Sequence, residues 1–197
     1  MKKNPGKTAQ TKAALKTAFW ALYRDGAITK ITVQDVTNLA GFNRSTFYQY
    51  FTDVHCLLKE IEDDIIQDWE STLSEIPFHN TTGQIASEEA VLKIASFHER
   101  NGEYISALLS PKGDPAFIYK LKNAMRPKIY SLLQITEDTI EVTLAFEFVS
   151  SGILAYLSAW YENAKQLPLK DAVALLHSLF SGNIMEIMFL NGKCVKD

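Results

Sequence analysis

The sequence predicts an all-α protein of about nine helices, in which an N-terminal three-helix head precedes a longer helical body. Apolar residues recur at steps of three and four along most of the chain, while the alternation typical of strands is absent over any useful length. Capping residues, glycines and prolines divide this periodicity into helix-sized segments. We place the boundary between a helix-turn-helix head, residues 1–52, and the body, residues 53–197.

The first helix is predicted to begin at Thr8 or Thr11 and to end at Arg24, before Gly26. The preceding residues are polar and basic, so residues 1 to about 8 are expected to be disordered. The helix presents one apolar stripe, which would cover the two short helices that follow. The stripe consists of Leu15, Ala18, Phe19 and Leu22.

Two short helices joined by a turn are predicted next. Thr32 is a typical N-cap with Asp35 three residues later, so one helix begins there. Gly41 can adopt the left-handed conformation that ends a helix. Asn43, with Thr46 at the third helical position, opens the next helix. Two helices in this arrangement form a helix-turn-helix.

The second of these helices has an apolar side and a polar side. Phe47 and Phe51 share one face and are expected in the core. Polar side chains of the motif can donate hydrogen bonds to phosphates and to base edges, so they are candidate contacts to double-stranded DNA. These candidates are Thr32, Gln34, Asn43, Arg44, Ser45, Thr46, Tyr48, Gln49 and Tyr50.

The distribution of charge supports this interpretation, although the net charge of −3 alone does not. Residues 1–50 contain eight basic and two acidic side chains, a local charge of +6, so the remainder carries −9. A basic head on an acidic body concentrates the attraction for phosphate in one place.

A long fourth helix is predicted from the cap Thr52-Asp53 to Pro77. Its length is roughly 20 residues, or about 30 Å. Its apolar residues follow one stripe. They are Leu57, Leu58, Ile61, Ile65, Trp69 and Leu73.

Five further helices are predicted over about 87–99, 102–109, 114–134, 138–164 and 168–190, and Asn101-Gly102 separates the first two. The last two carry apolar residues on more than one face, so each needs a second packing partner. That partner is either the rest of the same monomer or a second copy of the chain. The candidate seam contains Ile153, Leu157, Phe180, Ile184 and Ile187.

The head motif resembles the DNA-binding segment of the tetracycline-repressor (TetR) family of bacterial regulators. The resemblance rests on Thr32-Val-Gln-Asp-Val, on Ala40-Gly41-Phe42-Asn43-Arg44-Ser45-Thr46-Phe47-Tyr48-Gln49-Tyr50-Phe51, and on the following Asp53 and Leu57-Leu58. It implies an all-helical homodimer that binds a two-fold operator, usually as a repressor released by a small-molecule effector. The body then serves for effector binding and dimerisation, with the last two helices forming the interface.

The body carries a looser resemblance to a TetR subgroup that includes regulators of dihydroxyacetone kinase genes. It rests on Asn101-Gly102-x-Tyr104, on Asp114-x-x-Phe117, and on Ser151-Gly152-Ile153 with Trp160. This subgroup implies an alternative function, in which the same fold acts as an activator or co-regulator controlled by a partner protein.

Several large side chains of the body fit either an effector cavity or ordinary core packing. These are Trp69, Phe97, Tyr104, Phe117 and Met125. One position departs from the family pattern, because Val54 stands where TetR-like sequences usually carry a lysine that approaches a DNA phosphate. We therefore expect one cationic contact per subunit to be missing here.

Other classes of function are not predicted. Cys56 and Cys194 lie far apart and the four histidines do not cluster, so neither a disulfide framework nor a metal site is expected. Nucleotide-binding, metalloprotease and nucleophile motifs are missing from the sequence, which predicts no enzymatic activity and no cofactor. No apolar run approaches the ~20 residues of a membrane span and no signal segment is recognisable, so we expect a cytoplasmic protein.

Overall fold

The computed structural model describes residues 5–25, 28–76, 88–110, 113–132, 135–163 and 166–179. These residues form eight α-helices and no strand, which confirms the predicted all-α class and comes close to the predicted nine helices. The helices are α1 (Pro5–Asp25), α2 (Val33–Ala40), α3 (Arg44–Tyr48), α4 (Val54–Glu75), α5 (Glu88–Leu108), α6 (Pro115–Leu132), α7 (Ile140–Glu162) and α8 (Leu169–Ser178). A short 3₁₀ helix, Ile28–Lys30, precedes α2.

Two predicted boundaries were wrong. Helix α1 begins at Pro5, so residues 5–8 are helical rather than disordered. Proline suits this position, because the first turn of a helix has no acceptor for its N–H groups. Helix α5 runs through Asn101-Gly102, where a break was predicted.

The chain divides into two compact units, Met1–Gln67 and Asp68–Asp197, and the division falls inside α4. The predicted boundary at residue 52 was placed at the end of the helix-turn-helix motif, whereas the division inside α4 reflects which residues pack together. The predicted boundary stays a prediction.

The first unit is built around side chains from α1 to α4. Three of the four stripe residues of α1 are buried and Leu22 is half-buried. The predicted apolar side of the second short helix and the first half of the α4 stripe are also buried. Together they form one apolar core, which accounts for much of the stability of so small a unit. Its fully or almost fully buried members include Leu15, Phe19, Val36, Phe47, Phe51, Leu57 and Ile61.

In the second unit, α5 and α7 are joined by polar contacts within an apolar setting. His98 Nδ1 and the Tyr161 hydroxyl are hydrogen-bonded to each other. A Cβ at Gly102 would lie 3.6 Å from that hydroxyl, so α5 presents little bulk where Tyr161 approaches it. One turn further, the Ser158 hydroxyl donates to the Leu109 carbonyl at 3.1 Å. These tertiary contacts explain why α5 continues past a sequence that is typical of a turn.

Helix α7 is, among the described residues, the one helix long and apolar enough to cross a membrane. A single such helix is weak evidence, because soluble helical proteins contain them too. Here α7 also carries Glu147, which forms an ion pair with Lys122 of α6 at 2.7 Å.

Candidate nucleic-acid interface

The two helices of the predicted motif are capped as their sequences indicate. Thr32 and Asp35 form a reciprocal capping box: the Asp35 N–H donates to Thr32 Oγ1 at 3.2 Å and the Thr32 N–H to Asp35 Oδ2 at 3.0 Å. Gly41 adopts a left-handed conformation with φ of 72°, which side chains disfavour. The following Phe42 N–H donates to the Thr37 carbonyl at 2.9 Å, which closes the helix.

The start of helix α3 is capped by a single side-chain oxygen, which accepts three hydrogen bonds. Asn43 Oδ1 accepts from the Thr46 N–H at 2.8 Å, from the Ser45 hydroxyl at 2.7 Å and from the Thr46 hydroxyl at 2.8 Å. The Ser45 and Thr46 hydroxyls therefore point their protons at Asn43 and leave their lone pairs for an outside donor.

The apolar side of α3 is anchored in the core. Phe47 and Phe51 are buried with ring centroids 5.5 Å apart, as predicted. The regular helix ends at Tyr48, and a final turn is closed by the Tyr50 N–H donating to the Phe47 carbonyl at 2.9 Å. This anchoring sets which side chains of α3 can face a ligand.

The predicted DNA contacts differ in how far they reach into solvent. Arg44, Ser45 and Gln49 are exposed, and Tyr48 is 57% exposed with its ring edge against Phe47. The other predicted contacts are less available to a ligand. The side-chain oxygen of Asn43 caps α3, and Thr32 is exposed but hydrogen-bonded in its capping box. Thr46, Tyr50 and Gln34 are half-buried, and Gln34 also donates a hydrogen bond to Asn38 Oδ1. No described residue forms an ion pair with Arg44. Its guanidinium is therefore available to a phosphate or a base.

Two lysines counted in the basic head are already paired, which the sequence did not indicate. Lys12 contacts Glu60 at 2.8 Å, and Lys16 contacts Glu60 at 2.8 Å and Asp64 at 2.5 Å. Burial opposes ionisation of Glu60, but the hydrogen bonds from Lys12 and Lys16 outweigh it and hold the pKa of Glu60 below its ordinary value. These lysines bind α1 to α4, so they contribute less to the attraction of DNA than the local charge suggests.

The cationic contact expected to be missing at Val54 stays a prediction, but the structure places Val54 itself in the core. Val54 is only 8% exposed and packs in the core at the first residue of α4, so it does not occupy an outward position. Its neighbours Asp53 and His55 are exposed instead. Asp53 caps the helix, because its Oδ1 accepts from the Cys56 N–H at 2.8 Å.

The residues predicted to line an effector cavity are placed in or near the core of the second unit. Trp69 and Phe97 are in contact, with ring centroids 4.9 Å apart. Phe97, Phe117 and Met125 are buried, while Trp69 and Tyr104 are half-buried. The assignment of these five to a ligand site stays a prediction.

Of the residues predicted for the dimer seam, Ile153 and Leu157 lie half-buried on α7, whereas Phe180, Ile184 and Ile187 lie outside the described residues. The large exposed apolar side chains of α7 are Ile140, Leu144 and Phe148, at successive turns of the helix. No cluster of metal-ligating side chains occurs in the part of the chain that the structure describes.

Comparisons with known proteins agree with this architecture. Residues 86–182 match a family profile described as the C-terminal region of transcriptional regulators of the TetR type. The solved structure of a TetR transcriptional regulator from Streptococcus agalactiae 2603V is 26% identical in sequence and superposes with a TM-score of 0.67. The alignment covers 88% of this chain and 94% of that protein. A TetR-family transcriptional regulator from Streptomyces coelicolor is 18% identical over 86% of this chain and 80% of its own, with a TM-score of 0.64. No curated protein sequence matches the chain.

The dihydroxyacetone kinase operon activator DhaS also aligns, at 17% identity over 95% of this chain and 98% of its own. Its TM-score of 0.47 is too low to support an inference about the mode of regulation. The resemblance to TetR-family regulators, first drawn from the head motif, is confirmed by the profile match and the solved structures.

Proposed function

Because the chain has the fold and the C-terminal region of a TetR-family transcriptional regulator, we propose that it binds a two-fold DNA operator as a homodimer. In this proposal it acts in the cytoplasm as a repressor, and a small-molecule effector bound to the second unit weakens its hold on the operator. Its work is recognition rather than catalysis.

One observation carries the proposal, namely the exposed side of α3. The helix is fixed by the Asn43 cap at its start and by Phe47 in the core. It then presents Arg44, Tyr48 and Gln49 outward. A capped helix with this polar set fits the major groove, where arginine pairs with guanine and glutamine with adenine.

The proposed homodimer follows from the geometry of DNA. A second copy related by a two-fold axis would place a second α3 in the next major groove, about 34 Å away. An effector that favours a different spacing of the two helices would release the operator, and a tenfold loss of affinity requires about 1.4 kcal/mol of coupling.

Selection of bound sequences from a random duplex pool tests this proposal. We expect an enriched palindrome, bound by a dimer, with affinity that falls steeply as salt rises. The matched variants are Arg44→Ala on α3 and Arg100→Ala on α5, both at exposed arginines, and only the first should weaken enrichment and relax the preference at one base position. A pool that shows no enriched sequence, or equal enrichment by both variants, would contradict the proposal.

A further inference from the structure

The hydroxyl of Ser45 uses its proton for a hydrogen bond within the protein, which limits the partners it can take outside. Ser45 is exposed at the second residue of α3, and its Oγ lies 2.7 Å from Asn43 Oδ1. Gln49, one helical turn later, is also exposed, while Phe47 between them is buried. Ser45 therefore lies on the outward side of the helix.

The direction of this hydrogen bond follows from a backbone group. The Thr46 N–H lies 2.8 Å from the same atom of Asn43. A backbone N–H can only donate, so this atom is the amide oxygen and not the amide nitrogen. An amide oxygen can only accept, so the Ser45 hydroxyl is the donor in its contact with Asn43. A hydroxyl has one proton and two lone pairs, so Ser45 offers only lone pairs to a partner outside the chain.

The Thr46 hydroxyl contacts the same oxygen, but it is less accessible. Its distance to Asn43 Oδ1 is 2.8 Å, so three donors meet an oxygen with two lone pairs. The contact of Ser45 is the shortest of the three, and Thr46 is half-buried where Ser45 is exposed. Ser45 is therefore the residue that has both a fixed hydrogen-bond direction and access to a ligand.

The base edges in the major groove differ in whether they can donate to such an oxygen. Adenine presents its N6 amino group and cytosine its N4 amino group, whereas guanine N7 and O6 and thymine O4 only accept. In helix-turn-helix proteins the first residues of the second helix contact these edges. Opposite guanine or thymine, the Ser45 oxygen would face another acceptor unless its bond to Asn43 broke. Two acceptors brought together without a shared proton lose their hydrogen bonds to water, which is costly.

We propose that Ser45 reads an exocyclic amino group in the major groove, adenine N6 or cytosine N4, and that Asn43 is the positioning residue that imposes this choice. In naming a feature of the operator, this inference rests on the proposed function. The role differs from that of Arg44, because a guanidinium donates and therefore suits the acceptors of guanine.

Operator variants and base analogues test the contact, with the full chain and an operator selected from random duplexes. Among single-base variants of that operator, Ser45→Ala should relax the preference at one base pair. At that pair, the amino group is then deleted alone, by purine in place of adenine or 2-pyrimidinone in place of cytosine. The parent protein should lose about three- to tenfold in affinity beyond any loss in Ser45→Ala.

Two controls show that this loss belongs to the amino group and to Ser45. Deletion of N7, by a 7-deazapurine at the same base pair, should affect the parent protein and Ser45→Ala equally. Ser74→Ala, at an exposed serine on α4, should behave as the parent protein does with every operator. A loss caused by deletion of N7 that disappears in Ser45→Ala would show that Ser45 donates, and would overturn the proposal. The absence of any base pair that responds to Ser45→Ala would overturn it too.

Asn43→Ser tests the positioning role, because serine also caps helices well but lacks the amide oxygen that accepts the Ser45 proton. A transition at the Ser45-dependent base pair replaces the amino group with a carbonyl oxygen and should cost the parent protein at least about fivefold in affinity. In Asn43→Ser this cost should shrink, since Ser45 can then donate to the carbonyl, while the preference at the base pair read by Arg44 should persist. An unchanged cost of the transition would overturn the role of Asn43.

The selection step separates this inference from the proposed function. Failure of the parent protein to select any operator would contradict both. An operator that is selected, but whose amino groups can each be deleted with the same effect on the parent protein and Ser45→Ala, would overturn the reading by Ser45 and leave the proposed function standing.

Discussion

A single side chain, Asn43, organises the start of the recognition helix. Its oxygen accepts from the backbone of Thr46 and from two hydroxyls, so Ser45 and Thr46 turn acceptor lone pairs outward. Arg44 directly precedes them and forms no ion pair with a described residue. The first turn of α3 therefore offers one strong cationic donor followed by two acceptors, a pattern suited to reading base edges.

Arg44→Ala should remove a base-specific contact. We expect a cost of about 1 to 3 kcal/mol per half-site and a relaxed preference at one base position. Tyr48→Phe is the comparison, since the loss of a hydroxyl that contacts phosphate should weaken all sequences alike. Affinities measured across a set of single-base operator variants distinguish the two. A uniform loss across that set for Arg44→Ala would rule out its base-reading role.

Val54→Lys should destabilise the first unit instead of strengthening DNA binding, because Val54 is buried. Placing an ammonium group there is expected to cost roughly 1 to 3 kcal/mol of the free energy of unfolding, measured by urea titration. The exposed neighbour provides the control: His55→Lys should leave stability unchanged and steepen log K against log salt by about 0.9 per new phosphate contact, or about 1.8 for a dimer. An unaltered slope would mean that His55 does not face DNA.

At the level of helices, signals between residues close in sequence predicted the structure well. The capping box of Thr32, the left-handed Gly41 and the Asn43 cap involve residues at most four apart, so the sequence alone indicates them. Position 102 was misread as a break because the partner of this segment, Tyr161, lies on another helix. The burial of Val54 and the acidic partners of Lys16 are likewise tertiary, and no local pattern indicates them.

The ion pairs between α1 and α4 lead to a test of which charges face DNA. Lys16 forms ion pairs with Glu60 and Asp64 and is therefore not expected to contact DNA. Lys16→Gln should then leave the salt dependence of operator binding unchanged. The same change at Arg44 should make the slope shallower, because a contact to DNA is lost. Stability should fall by no more than about 1 kcal/mol in Lys16→Gln, since the pairs are partly exposed. A shallower slope in Lys16→Gln would contradict this assignment.

The contact between α5 and α7 predicts a pH dependence of stability. Burial lowers the pKa of His98 from 6.5 to about 4, so the unfolded chain binds a proton more readily than the folded chain between these values. The free energy of unfolding should therefore fall as pH is lowered from about 6.5 to about 4, by at most about 3 kcal/mol. His98→Gln cannot titrate and should flatten this part of the curve, whereas His55→Gln, at an exposed histidine, should not. Equal curves for His98→Gln and the parent protein would refute the prediction.

At the scale of the whole molecule, the open question is what covers α7. Only 17% of the most apolar 18-residue stretch of α7 is buried. Ile140, Leu144 and Phe148 form an exposed apolar row along one side of the helix. Leaving such a row in water is unfavourable, which supports the proposed homodimer. The row lies on a different face of α7 from the half-buried Ile153 and Leu157, which the sequence predicted for the dimer interface. We therefore propose that the second copy packs on the exposed row instead.

Phe148→Glu tests that seam, because it places a charge where a second copy would bury a ring that is 77% exposed in the single chain. The dimer should dissociate, and light scattering should report the mass of one chain. Leu92→Glu is the matched control: Leu92 is 65% exposed on α5, and its variant should remain dimeric. Operator affinity should fall with dissociation, since a single head contacts only one half-site. A folded Phe148→Glu protein that stays dimeric would place the interface elsewhere, and Ile184→Glu would then test the seam expected from the sequence.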